Sequence, residues 1–145
     1  MKDTTPRTIY LKNYQKPEYL IPELYLDFII NEEFTTVKSK LKVEANYEEK
    51  LVQPLELHGE KLELMSVTID GKIIPESEYT LTEEQLSILP PVKNFTLEIE
   101  TRIEPQNNKA LEGLYQSGDI FCTQNEPEGF RKITYFLDRS DVMSV

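Results

Sequence analysis

The chain has little of what most catalytic sites are built from. Its 145 residues hold one histidine, one cysteine and no tryptophan. With His58 as the only imidazole, the chain cannot supply a two-histidine zinc site, and any Ser–His–Asp or Cys–His set would have to run through that residue. Cys122 has no partner for an intrachain disulfide, which reads as a reducing compartment. Glycine is scarce too, 5 residues against 9 prolines, and with 29% charged residues the composition is that of a folded domain rather than a low-complexity chain. No apolar run approaches the ~18 residues of a membrane span. The start, Met1-Lys2-Asp3-Thr4-Thr5-Pro6-Arg7, lacks the apolar core of ~7–15 residues that a secretory signal needs. The expectation is a cytoplasmic protein without a membrane span.

Positive charge is also short: 16 basic residues face 26 acidic ones, a net charge of −10. The imbalance lies beyond residue 50, where 8 basic side chains meet 17 acidic ones. That excludes a clustered Lys/Arg surface for phosphate, so no nucleic-acid partner is expected. An acidic surface favours cations, although solvation alone accounts for most of it.

What the chain has in abundance is alternation. Leu24, Leu26, Phe28 and Ile30 are spaced by two, and Val37-Lys38-Ser39-Lys40-Leu41-Lys42-Val43-Glu44-Ala45 sets apolar or small residues against charged ones. This predicts half-buried strands joined as a hairpin through Asn31-Glu32-Glu33. Further short strands are predicted over Pro54–His58, Leu62–Ile69, Lys72–Ile74, Tyr79–Leu81, Leu86–Leu89 and Phe95–Ile103. Asp70-Gly71 between apolar runs signals a type I′ turn, which needs positive φ at both positions. The fold class is all-β, an antiparallel sandwich or saddle, with residues 1–145 as a single β-rich domain.

After Glu104-Pro105-Gln106-Asn107-Asn108 the texture changes to an aromatic segment with weak alternation. Asn125-Glu126-Pro127-Glu128 predicts a short helix near residues 127–133, because proline suits a first helical turn and Glu128 complements its dipole. His58 reads as a strand-edge residue, Cys122 as a buried small hydrophobe, and Glu48-Glu49 and Glu83-Glu84 as solvated turns. The cluster Gln124, Glu126, Glu128 and Arg131 lies in a loop behind an aromatic strand, where binding residues gather. Pattern alone leaves capping, surface ion pairing and ligand binding all open for it.

The run Ala110-Leu111-Glu112-Gly113-Leu114-Tyr115-Gln116-Ser117-Gly118, followed by Phe121-Cys122-Thr123-Gln124-Asn125-Glu126-Pro127-Glu128-Gly129-Phe130-Arg131-Lys132-Ile133-Thr134-Tyr135-Phe136-Leu137-Asp138-Arg139, closely resembles the bacterial aminopeptidase N branch of the M1 zinc metallopeptidases. Thr8-Ile9-Tyr10-Leu11-Lys12-Asn13-Tyr14 and Leu55–Tyr79 resemble the same family's N-terminal domain in a looser register. The resemblance implies a domain that caps a thermolysin-like catalytic domain lying outside this chain and that is incomplete at its C-terminal end. It implies a zinc aminopeptidase of the membrane alanyl type, acting on peptide N-termini. Its Zn2+ would be held by a His-Glu-x-x-His helix and a further Glu, none of them in this sequence, so the fragment alone is expected to be inactive. Glu126 matches the residue that binds the substrate α-amine, and Gln124 one that lines the pocket for the first side chain. Two positions depart from the pattern: Asn125 stands where relatives usually carry Cys, and Ser140 where they carry Pro. The alternative function is a non-enzymatic all-β protein-interaction module.

Overall fold

Period-two alternation becomes a twisted antiparallel frame in the computed structural model, which describes residues 10–145. Strands β1 (Tyr19–Ile30) and β2 (Thr35–Ala45) pair with Leu24 opposite Leu41 and Asp27 opposite Lys38. Next come β3 (Leu55–His58), β4 (Glu63–Ile69), β5 (Lys72–Ile73), β6 (Tyr79–Leu81), β7 (Gln85–Ile88) and β8 (Asn94–Ile103). The hairpin β9 (Gly113–Ser117) and β10 (Ile120–Gln124) completes the described strands. They form a five-stranded sheet in the order β1-β2-β8-β4-β5, a three-stranded sheet β3-β7-β6, and the β9–β10 ribbon. The expected all-β class is therefore the observed one.

One face of the large sheet is wet. Lys40 faces Glu98 at 3.3 Å and Lys38 faces Glu100 at 3.9 Å, directly across the β2–β8 register. The opposite face carries Leu41, Val43, Val67, Ile69, Leu97 and Ile99 and packs with Leu55, Leu57, Leu86 and Ile88 of the small sheet into one core. Burial of such side chains contributes roughly 1.5–3 kcal/mol each, so this contact dominates the stability of the fold. A smaller cluster of Val37, Ile103, Leu114 and Ile133 seats the β9–β10 ribbon against the end of the large sheet.

The Asp70-Gly71 turn has φ of +48° and +80°, as the hairpin geometry requires. The first strand begins before the Leu24–Ile30 alternation, at Tyr19, where the buried ring donates its hydroxyl to Gln53 O at 2.5 Å. The expected helix near 127–133 shrinks to a single 3-10 turn over Phe130–Lys132. The physical reason is downstream: Ile133 to Asp138 are buried, and their packing against both sheets needs an extended chain rather than a continuing helix. Thr134 Oγ1 donates to Ser39 Oγ at 3.1 Å, and Thr101 Oγ1 donates to Ile133 O at 3.4 Å. The small hydroxyl positions of β2 and β8 are thus where this return segment is bonded. Met1 to Arg7, and Thr8 and Ile9 of the looser resemblance, lie outside the described residues.

Candidate functional site

The loop that carries the candidate residues is built on the end of the ribbon. β10 pairs with β9 until Gln124 stands opposite Gly113, and the chain then turns through Asn125–Gly129 into the 3-10 turn. The Gly129 N–H donates back to Asn125 O at 3.2 Å, and Lys132 N–H to Gly129 O at 3.1 Å. Two glycines make this turn possible. A Cβ on Gly129 would fall 2.6 Å from Gln124 O, and one on Gly113, whose φ is +72°, would fall 2.7 Å from Lys132 Cβ. Above Gly113, the Lys132 ammonium pairs with Glu112 and lies 3.7 Å from Glu60.

Of the four candidates, the structure places three in a bonded relation and leaves one carboxylate open. Gln124 Nε2 donates to the main-chain O of Glu126 at 3.3 Å, so the amide braces the loop from within. Arg131 Nη2 donates to Glu128 Oε2 at 3.0 Å. Glu126 is exposed, and among the described residues its carboxylate makes no hydrogen bond or ion pair. Its neighbour Asn125 is partly buried, with Oδ1 enclosed and, among the described residues, lacking a hydrogen-bond partner. An open carboxylate on a braced loop can accept charge-assisted hydrogen bonds from a cation.

Asp138 is the residue that pattern missed. Its Oδ2 accepts from Arg131 Nε at 2.8 Å and from Arg131 N–H at 3.2 Å, while its main-chain O accepts from Nη2 at 3.0 Å. A seven-residue separation outside a helix carries no sequence signal for such a pair. Only the extended return of residues 133–138 brings them together.

His58 lies at the end of β3, half-buried, with its N–H donating to Phe136 O at 2.8 Å and its O accepting from Phe136 N at 3.1 Å. Burial, then the charge of Arg131, holds its imidazole pKa below the ordinary value. Nδ1 is enclosed and has no hydrogen-bond partner among the described residues. Cys122 is partly exposed on β10 rather than buried, because it lies on an outer ribbon. Glu48, Glu49, Glu83 and Glu84 are exposed, as expected of solvated turns. Among the described residues no group of three or more His, Cys, Asp or Glu is placed to share a metal ion. A cleft of about 810 Å3 bordered by Tyr47, His58, Gln85 and Arg139 includes neither Gln124 nor Glu126. Among the described residues no helix is long and apolar enough to cross a membrane.

No family model matches the chain. Over 144 residues, 99% of its length, it is 42% identical to aminopeptidase N of Caulobacter vibrioides, and over 139 residues, 96%, it is 41% identical to aminopeptidase N of Escherichia coli. It spans only 16% of the length of either relative. Among solved structures, Legionella pneumophila aminopeptidase A in complex with aspartic acid matches with a TM-score of 0.83 at 27% identity, covering 92% of this chain and 16% of that one. An M1 zinc metallopeptidase of Deinococcus radiodurans bound to a Tyr-Ser-Ala substrate shares the fold, with a TM-score of 0.70 at 14% identity over 88% of this chain and 31% of that one.

Proposed function

We propose, for a chain that is an N-terminal domain of the bacterial aminopeptidase N kind, that residues 1–145 serve a zinc aminopeptidase by capping its active site and offering Glu126 to the α-ammonium of a peptide substrate. The observation that carries this reading is the open carboxylate of Glu126 on a loop where Gln124 bonds the Glu126 carbonyl and Glu128 pairs with Arg131. A carboxylate in a cleft closed by a second domain would form a charge-assisted hydrogen bond to the ammonium and fix the first residue of the peptide. Fixing the amine places the first peptide bond at the reacting centre, which selects removal of single N-terminal residues over internal cleavage. Gln124, one strand position before the loop, would border the first side chain. The zinc would be held by residues of a catalytic domain outside this chain, and the chain alone would not hydrolyse peptides.

The test is steady-state kinetics of the full-length protein on an aminoacyl substrate. Glu126→Ala should lower kcat/KM by ~10–1000-fold, as for loss of a charged contact. An unchanged value removes Glu126 from the site. Turnover by the purified 145-residue chain with added zinc would remove the division of labour between domains.

A further inference from the structure

We propose that Arg131 is a positioning residue for this site: it neutralises Glu128 and anchors the loop, so that Glu126 is the acid left to meet a substrate ammonium. The inference rests on the assignment of Glu126 to the amine. The loop holds two carboxylates two residues apart, and an incoming cation would be drawn to both. What distinguishes them is Arg131. Its Nη2 donates to Glu128 Oε2 at 3.0 Å, and no side chain among the described residues does the same for Glu126.

The guanidinium is held from the other side. Asp138 binds Arg131 Nε, its main-chain N–H and, through the carbonyl, Nη2. The Asp138 side chain is 11% exposed and that of Arg131 23%, against 58% for Glu128. The drier partner fixes the fork, and Glu128 comes to it. An ion pair as open as Glu128–Arg131 adds little to stability. Its effect is instead local: it cancels a charge beside Glu126 and holds the loop segment that follows it. Gln124 braces the preceding side by its bond to the Glu126 carbonyl. Glu126 is therefore held at its carbonyl by Gln124 and followed by a segment tied to Arg131, while its carboxylate stays open.

The experiment is a mutant cycle in the full-length protein, read as KM and kcat on a neutral aminoacyl substrate, with Glu126→Gln as the reference. Arg131→Met should raise KM by ~5–50-fold with a much smaller change in kcat. In the Glu126→Gln background it should raise KM no further, and adding Glu128→Gln to Arg131→Met should recover part of the lost KM by removing the liberated charge. Arg131→Lys, which keeps the charge without the fork, is the alternative if Arg131→Met does not fold, and should give a smaller rise in KM. A KM for Arg131→Met equal to that of the unmodified enzyme overturns the proposal, and so does an equal rise in both backgrounds, which would mark a structural role. If Glu126→Gln itself leaves KM unchanged, the amine assignment fails instead.

Discussion

The ring of Tyr135 occupies the space that a side chain on Gly59 would need. A Cβ on Gly59 would fall 2.2 Å from Tyr135 Cε1 and 2.3 Å from Cδ1. Tyr135 is 3% exposed and packed in the main core, so the ring cannot yield. Gly59→Ala should destabilise the chain by about 2–3 kcal/mol through overpacking, checked by urea denaturation with the folded spectrum as control. A loss below half a kcal/mol would mean that the return segment is not seated against β3.

The Arg131–Asp138 pair gives a second stability prediction. Asp138→Ala removes the acceptor of two hydrogen bonds from a partly buried arginine. Losing these two bonds, with Glu128 still at Nη2, should cost ~1.5–3 kcal/mol. Lys40→Ala, at an exposed pair with Glu98, should change stability by less than ~0.5 kcal/mol. Urea midpoints of the two variants side by side decide the ordering.

Asn125 offers a change in the opposite direction. Its Oδ1 is enclosed and lacks a partner among the described residues, a cost of roughly 1–3 kcal/mol for a buried polar atom. Asn125→Cys, which places there the residue the M1 resemblance expects, should raise the urea midpoint by an amount equivalent to about 1 kcal/mol. A lower midpoint would show that the amide contributes more through packing than it costs in desolvation.

His58 sets a pH dependence. Its pKa is lowered in the fold from the ordinary 6.5, first by burial and then by the Arg131 charge. Below that ordinary value the unfolded chain binds the proton more readily than the folded one, so stability falls as pH drops. The contribution is fully present above pH 6.5 and is lost as pH falls through the folded-state value. Denaturation of the wild type and of His58→Asn at pH 7.5 and 5.5 should show a smaller loss in the variant, and an NMR titration should place the imidazole below its ordinary pKa. Equal losses would remove His58 as a contributor.

Much of the frame was legible because strands carry their burial pattern in adjacent residues. Lys38, Lys40 and Lys42 point one way and Val37, Leu41 and Val43 the other because the pleat has a period of two. Asp70-Gly71 could be placed because a type I′ turn is a local demand on φ. The segment after Asn108 resisted that reading for an equally physical reason. Residues 133–138 are buried consecutively, enclosed on more than one side, so no alternation survives to report a face. The short helix expected near 127–133 is confined to the 3-10 turn Phe130–Lys132 on the same ground, since a helical signal at Pro127 and Glu128 is local and the packing of Ile133 and Tyr135 is not.

The sequence by itself determined the all-β frame, the turn at Asp70-Gly71 and the lack of a histidine pair for zinc, because each follows from residue identity and spacing along the chain. It also nominated Glu126, through the resemblance carried by residues 110–139. Tertiary structure alone decided which acid of the loop stands open. Glu126 and Glu128 are equivalent as neighbours in a sequence. They differ once the chain returns through the core and sets Asp138 against Arg131, whose Nη2 then also donates to Glu128.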